Sequence, residues 1–173
     1  MHIVLGVVGL AAAAYFLVQR ARMGAEMATE LVDVAQDVRA AARRFGFKRR
    51  TDIHPVESID NPDLAIAGIA SAFIALDDLP TAEDRQRLKI KLRQTLQASE
   101  DEASEMLILG QWFVETCQGA TPAIARLSKH LYRLDDGARF ETLMRVLQGV
   151  AADRLSRRQS EALDDIKRAF RLV

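Results

Sequence analysis

Cysteine is almost absent from this chain of 173 residues, since Cys117 is the only one. A single thiol cannot form an intramolecular disulfide, and it cannot build a metal cluster held by several thiolates. Net charge is also absent, because 24 basic side chains balance 24 acidic ones. Strand-like alternation of polar and apolar residues is lacking too, so the sequence favours a helical domain with one hydrophobic core.

The sequence also lacks a recognisable catalytic set. It has no glycine-rich phosphate loop and no pair of histidines spaced to bind zinc on one helix face. Cys117 lies on an apolar helical stripe, where we predict a buried thiol rather than a reactive thiolate. His130 stands between Lys129 and Arg133 and is predicted to lie on a helix surface, while His54 is predicted to be a loop residue. We therefore expect no enzymatic activity, no small-molecule substrate and no organic cofactor.

Charge is unevenly distributed although the total is zero. Residues 20–50 hold eight basic and four acidic side chains, whereas residues 51–173 hold sixteen basic and twenty acidic ones. A nucleic-acid groove needs positive charge concentrated on the folded domain. The mildly acidic body therefore argues against a nucleic-acid partner.

The amino-terminal segment, residues 1–22, is predicted to be a transmembrane signal anchor. Residues 3–18 carry no charge, and a helix of this length extends about 24 Å, near the short end of a bilayer span. Arg20 and Arg22 follow the apolar run, which places the amino terminus outside and the following chain in the cytoplasm. A cleaved signal peptide and a helix buried in an assembly are the alternatives. The predicted anchor residues are Ile3, Val4, Leu5, Val7, Val8, Leu10, Phe16, Leu17 and Val18.

Small residues on the predicted anchor suggest a second role for it. Gly9 and Ala13 are four residues apart, and Gly6 lies one turn before them. This spacing lets two membrane helices approach closely, so a homodimer through the three residues is one interpretation. The other is that small residues are simply common in membrane spans.

Residues 23–45 are predicted to form an amphipathic neck helix. Apolar side chains recur every three or four residues from Met27 to Phe45, and charged side chains occupy the opposite face. One interpretation of the basic residues that follow is attraction to anionic lipid headgroups, and the other is a solvated surface that also sets the membrane topology. This basic neck group consists of Arg43, Arg44, Lys48, Arg49 and Arg50.

Helix start signals divide the rest of the chain. Residues 46–60 contain Gly46 and Pro55 but no periodic stripe, and we predict that they form a linker. Apolar side chains beyond the linker recur at helical spacing, which predicts six short helices over residues 61–173. The predicted starts are Asn61-Pro62, Thr81 with Asp84, Ser99 with Glu102, Thr121-Pro122, Asp135 or Asp136, and Ser156 with Gln159.

Two connectors between these helices share a pattern. In residues 75–84 and 151–160 an apolar stripe runs into an aspartate, Asp77 or Asp153, and a leucine follows two residues later, Leu79 or Leu155. A new helix start then follows in both copies. Two helical hairpins of the same design are the simplest explanation.

The repeated pattern resembles that of the tellurite-resistance TerB-like domains, over residues 61–173. Those domains are all-helical and carry two hairpins around the motif Ala-Asp-Gly-x-(Ile/Val)-(Ser/Thr)-x-x-Glu. Neither copy here has the glycine, which is replaced by Asp78 and Arg154. The resemblance implies an all-α compact bundle with two pseudo-repeated hairpins, which here follows the predicted transmembrane helix and the neck helix. The matching positions are Asp77, Leu79, Thr81 and Glu83 in the first connector, and Ala152, Asp153, Leu155, Ser156 and Gln159 in the second.

A membrane anchor followed by such a domain is also similar to the front half of DjlA-type membrane co-chaperones. Their J domain contains a His-Pro-Asp tripeptide, whereas the only His-Pro pair here, His54-Pro55, continues with Val56. Co-chaperone activity is therefore not implied.

Four carboxylates in the first connector form a candidate metal site, namely Asp77, Asp78, Glu83 and Asp84. Oxygen ligands suit a hard divalent cation such as calcium or magnesium, and the TerB resemblance implies metal binding in a stress response. The alternative is helix capping, in which Glu83 and Asp84 interact with the N-terminal dipole of the next helix. The second connector lacks this acidity, so the repeat itself indicates a fold rather than a chemistry.

Two further stretches have two interpretations each. Residues 106–114 are densely apolar and include Trp112, and we predict that they form the central helix of the bundle; an exposed groove for a partner helix is the alternative. Five cations decorate the helix after Thr81, and they fit either an acidic partner or a solvated face. They are Arg85, Arg87, Lys89, Lys91 and Arg93.

Together these features predict a single-pass protein of the bacterial inner membrane whose cytoplasmic TerB-like domain binds or scaffolds protein partners. The anchor would hold the domain at the membrane, and no catalytic step is required. The alternative is a metal-binding stress-response protein that uses the acidic connector.

Overall fold

The computed structural model describes residue 38 and residues 40–45, 52–151 and 155–172, all within one compact unit. The secondary structure of this part of the chain is entirely helical, which confirms the predicted all-α class. A 3-10 helix at Pro55–Ser58 precedes six α-helices. These are α1 (Pro62–Ile74), α2 (Ala82–Leu96), α3 (Glu100–Thr116), α4 (Ala120–Asp135), α5 (Phe140–Val150) and α6 (Arg157–Ala169).

The predicted signal anchor, residues 1–22, lies outside the described residues, together with Gly6, Gly9 and Ala13. Among the residues that the structure describes, no helix is both long enough and apolar enough to cross a membrane. The anchor, its orientation and the homodimer through its small residues therefore stay predictions.

Helix α1 is the centre of the bundle, and α2, α3, α4 and α5 all pack against it. Its residues 64–73 are buried without interruption, so α1 has no solvated face. Residues 106–114 pack into the core as predicted, but the central helix is α1 and not the helix that contains them. They lie in α3, which buries one side against α1 and leaves Gln111 and Glu115 exposed, while Trp112 is partly buried against the core.

Close contact between α1 and α3 depends on the small residues of both helices. A Cβ atom at Gly110 of α3 would lie 2.3 Å from Ser71 Oγ and 3.2 Å from Ala67 O. Real Cβ atoms do not approach other atoms so closely, so only glycine lets the two backbones lie at this distance. The polar hydroxyl of Ser71 is thereby enclosed at the helix contact.

Four of the predicted helix starts are confirmed. The side chain of Asn61 caps α1 by accepting the N–H of Asp63 at 2.9 Å. The other three starts are capping boxes, in which the side chains of the first and fourth residues each accept a backbone N–H from the other. These boxes are Thr81 with Asp84, Ser99 with Glu102, and Ser156 with Gln159.

The other two predicted starts were wrong. Helix α4 begins one residue before Thr121, because Gly119 adopts a positive φ of 133° and turns the chain into the helix without a side-chain cap. Helix α5 begins at Phe140, after the predicted aspartates. Asp135 instead organises the preceding turn, where its carboxylate accepts the N–H groups of Gly137 and Arg139 at 3.0 and 3.1 Å.

Residues 52–60, which we predicted to belong to a linker, are packed against α4. Val56 and Ile59 are buried in the core. The carboxylate of Glu57 accepts a hydrogen bond from Arg133 at 2.6 Å and lies 3.5 Å from Arg126. The absence of a helical stripe was misleading, because two buried apolar side chains and one shared carboxylate hold this segment in place.

His130 is buried, so the prediction of a helix-surface histidine was wrong. Its Nε2 lies 2.7 Å from Ile59 O, and its Nδ1 lies 3.5 Å from the carboxylate of Glu57. The residue follows Leu127 by three positions and precedes Leu134 by four, which is the spacing of one helix face. That spacing could have identified it, but its charged neighbours obscured the pattern.

The end of the neck helix belongs to the same packed unit. Residue 38 and residues 40–44 are helical. Ala41 is fully buried in the core, and Val38, Ala42 and Phe45 are partly buried against the core. The predicted boundaries after residues 45 and 60 therefore fall inside the bundle.

Candidate protein-binding surface

The start of α6, at the described end of the second connector, contacts the first connector. Arg158, near the start of α6, donates from Nη1 to Leu76 O of the first connector at 3.0 Å. This contact joins positions 82 residues apart in the sequence, which no local pattern predicts. We call the surface made by residues 76–81 and by Leu155, Ser156, Arg157 and Arg158 the connector face.

Leu79 projects from the connector face. Its exposed fraction is 90%, the largest of any bulky apolar side chain in the described residues. Leu155, at the equivalent position of the second connector, is 42% exposed. The leucines that define the repeat therefore lie at the surface and not in the core, where the hydrophobic effect would normally place them.

A groove of about 390 Å³ lies beside the first connector, between the end of α1 and the first turns of α4 and α6. Three apolar side chains, Leu76, Ile124 and Ala162, form its floor, but each is more than nine-tenths buried, so the accessible lining of the groove is more polar than apolar. An apolar centre with a polar rim is the usual composition of a protein-protein docking site. The rim consists of Thr121, Arg158, Glu161 and Asp165.

The four carboxylates predicted as metal ligands have separate roles. Asp84 accepts hydrogen bonds from the Thr81 hydroxyl at 2.7 Å and from the Thr81 N–H at 3.0 Å, and these bonds hold the pKa of Asp84 below its ordinary range. Glu83 forms an ion pair within α2. Asp77 and Asp78 are exposed at the tip of the connector. No three His, Cys, Asp or Glu side chains of the described residues are grouped to hold a metal ion.

The connectors carry opposite charge. Asp77 and Asp78 make the tip of the first one acidic, whereas Arg157 and Arg158 make the end of the second one basic. Arg157 is well exposed and, among the described residues, pairs with Glu161 of its own helix at 2.8 Å. Both connectors lead into a capping box, but the first carries acidic side chains and the second carries basic ones.

The cations of α2 are largely engaged within the molecule, which weakens their interpretation as a site for an acidic partner. Lys89 and Arg93 each lie 2.6 Å from the carboxylate of Glu100 in α3. Arg85 donates to Pro80 O at 2.7 Å, which ties the first connector to α2. Arg87 pairs with Glu83 at 3.2 Å, and the stem of Lys91 lies over Gly149.

The basic neck group is only partly described. Arg44 pairs with Glu105 of α3 at 3.1 Å, and Arg43 is exposed. Lys48, Arg49 and Arg50 lie outside the described residues. Attraction of this group to lipid headgroups stays a prediction.

Cys117 and His54, which we examined as candidate reactive or ligand residues, both contribute to the packing or capping of the fold. Cys117 is buried as predicted, and loss of solvation raises the pKa of its thiol. His54 caps the 3-10 helix, because its Nδ1 accepts the N–H of Val56 at 3.3 Å. Burial lowers the pKa of His54, and the nearby Arg126 guanidinium lowers it further.

Compared with known proteins, the chain matches no family model, no curated protein and no solved structure. The resemblance to TerB-like domains depends on the connector residues, and it stays a prediction. The connector face therefore has to be interpreted from its own geometry.

Proposed function

We propose that this protein is a membrane-anchored, non-enzymatic binding or scaffolding protein whose connector face docks protein partners at the bacterial inner membrane. The observation that supports the proposal best is the exposure of Leu79, 90% at the tip of a connector that adjoins a groove with an apolar floor. The predicted anchor, residues 1–22, would confine this face to the membrane and shorten the search for membrane partners.

The first connector is held on both sides of Leu79. Arg158 binds Leu76 O before the leucine, and the capping box of Thr81 and Asp84 follows it. A preorganised loop loses little conformational entropy when it binds. Burial of one leucine side chain contributes about 2 kcal/mol, which corresponds to an affinity difference of about 30-fold.

The test is affinity capture from membranes with the full chain as bait, comparing the unmodified protein with Leu79→Asp. We expect the variant to recover its specific partners at a yield lower by about tenfold or more, because a charge would have to be buried in an apolar pocket. The unfolding temperature should be unchanged, since the side chain is in solvent. Ile90→Asp is the matched control, because Ile90 is 40% exposed on α2 and lies outside the connector face. Equal partner yields for both variants and the unmodified protein would show that the connector face is not the docking surface.

Anchoring is tested with a second pair of baits, which contain or lack residues 1–22. We expect the shortened bait to lose membrane partners although its connector face is intact. Recovery of the same proteins at the same yield by both baits would contradict the anchoring part of the proposal.

A further inference from the structure

We infer that the connector face is self-complementary and docks a second copy of this chain about a two-fold axis. The inference rests on the proposed function, because it names one partner for the same surface. Charge and shape on the connector face each support it.

Charge supports a two-fold arrangement. Arg158 lies beside the acidic tip with Asp77 and Asp78, because it is bonded to Leu76 O, and Arg157 precedes it at the start of α6. In a two-fold dimer, if surface patch i of one protomer contacts patch j of the other, then patch j of the first also contacts patch i of the second. A rotation that places the acidic tip over the partner's basic end therefore creates the same favourable contact twice.

Shape supports the same arrangement. Leu79 lies three residues after Leu76, and Leu76 contributes to the groove floor. Because the side chain of Leu79 is 90% exposed, Leu79 does not occupy the groove of its own protomer. A projecting side chain beside a groove allows two copies to bind each other reciprocally. In such a dimer Leu79 of each protomer would lie on the apolar groove floor of the other. The floor is formed by Leu76, Ile124 and Ala162.

The carboxylates at the groove rim do not oppose this contact. Glu161 pairs with Arg157 and Asp165 pairs with Arg168 within α6. An approaching acidic tip therefore meets ion pairs and the additional cation of Arg158, rather than two unpaired carboxylates.

One loop and one groove from each protomer make a small interface, which predicts weak association in dilute solution. Anchoring both copies in one membrane would raise their effective concentration. We therefore expect the contact to operate mainly between membrane-bound copies.

The test is a charge exchange in the full chain, with Gly9→Leu in every sample to remove pairing through the predicted anchor. Two preparations with different affinity tags are mixed at high protein concentration in lipid-detergent micelles, which offsets the weak affinity expected in dilute solution, and one is recovered through its tag. We expect D77K/D78K alone and R157E alone to lower self-capture by about tenfold, because each places like charges opposite each other twice. A mixture of the two variants should restore capture, since both contacts are then between opposite charges. High salt should weaken capture of the unmodified chain.

Self-capture of either variant at the unmodified level would overturn the inference, as would a mixture that performs no better than its components. Circular dichroism and thermal unfolding identify a folding defect, which these exposed substitutions should not cause. If Leu79→Asp loses membrane partners but the charge exchange fails, the second-copy inference falls and the proposed function stands. If Leu79→Asp has no effect on any partner, the proposed function falls as well.

Discussion

Helices α1 and α2 are joined by the first connector, but they are stabilised in different ways. Residues 64–73 of α1 are all buried, and six of these ten are Ala, Gly or Ser. Only Leu88 and Leu92 are buried in α2, whose remaining length carries charges, ion pairs and a capping box. The contrast shows that α1 depends on shape complementarity over its whole surface, whereas α2 depends on a narrow contact and on local interactions.

The contact of α1 with α3 should be the most sensitive position of the bundle. In Gly110→Ala the new methyl group would meet Ser71 Oγ at 2.3 Å and a backbone oxygen of α1 at 3.2 Å. Backbone atoms cannot move aside as a side chain can, so the helices must separate. We expect a loss of about 1–3 kcal/mol in the free energy of unfolding, measured by urea denaturation.

Gly149→Ala is the matched change against α2. The three atoms nearest to its methyl group would all belong to the stem of Lys91, with Cδ at 2.5 Å and Cε at 2.6 Å. This flexible side chain can swing into solvent, and alanine is favoured over glycine inside a helix by up to about 1 kcal/mol. We expect Gly149→Ala to be neutral or stabilising. A loss equal to that of Gly110→Ala would show that α2 is packed as tightly as α1.

The sequence predicted the helical class and four of the helix starts, because each of these is encoded locally. The prediction of two hairpins of the same design holds only for the first: α1 packs on α2, whereas α6, among the described residues, packs against α4 and not along α5. The sequence did not predict which helix is central. Both α1 and residues 106–114 are rich in apolar residues, and a search for stripes favours α3. The better signal was that residues 64–73 contain only one polar side chain, Ser71, so α1 could not have a solvated face.

The connector face itself was not predicted. The repeated Asp-x-Leu pattern marks both connectors, and the carboxylates of the first were considered either as metal ligands or as helix caps. Whether Leu79 is buried or exposed depends on how the connectors pack, and the bond from Arg158 to Leu76 O joins residues far apart in sequence. Neither property can be derived from spacing alone, because both depend on tertiary contacts.

The helix caps should distinguish α1 from α2 through local motion. Asn61→Ala and Thr81→Ala each remove a side chain that accepts a backbone N–H, at a cost of about 1 kcal/mol. The first turn of α2 has few tertiary contacts to hold it, so Thr81→Ala should also increase amide hydrogen exchange in residues 82–86. The first turn of α1 adjoins the packed core and should remain protected in Asn61→Ala. Increased exchange at both helix starts would contradict the contrast.

The smallest expected effect is a difference in pH dependence between the first turns of the two helices. Burial raises the pKa of Asp63 in α1, although Arg139 at 2.9 Å lowers it in part. The hydrogen bonds from Thr81 lower the pKa of Asp84 in α2. A raised pKa means that the folded state binds the proton more tightly than the unfolded state, and a lowered pKa means the reverse.

The two aspartates should therefore contribute to stability with opposite sign along the pH axis. The contribution of Asp84 is present above the ordinary aspartate range, about pH 4, and is lost as the pH falls through its lowered pKa. The contribution of Asp63 is present below that range and is lost as the pH rises through its raised pKa.

We would measure urea unfolding between about pH 2.5 and pH 7 for the unmodified protein, Asp63→Asn and Asp84→Asn. As the pH falls, the loss of unfolding free energy caused by Asp84→Asn should become smaller. Over the same range the unmodified protein should gain stability relative to Asp63→Asn. Slopes of the same sign would mean that the two helix starts share one electrostatic environment, and that burial does not separate α1 from α2 at their first turns.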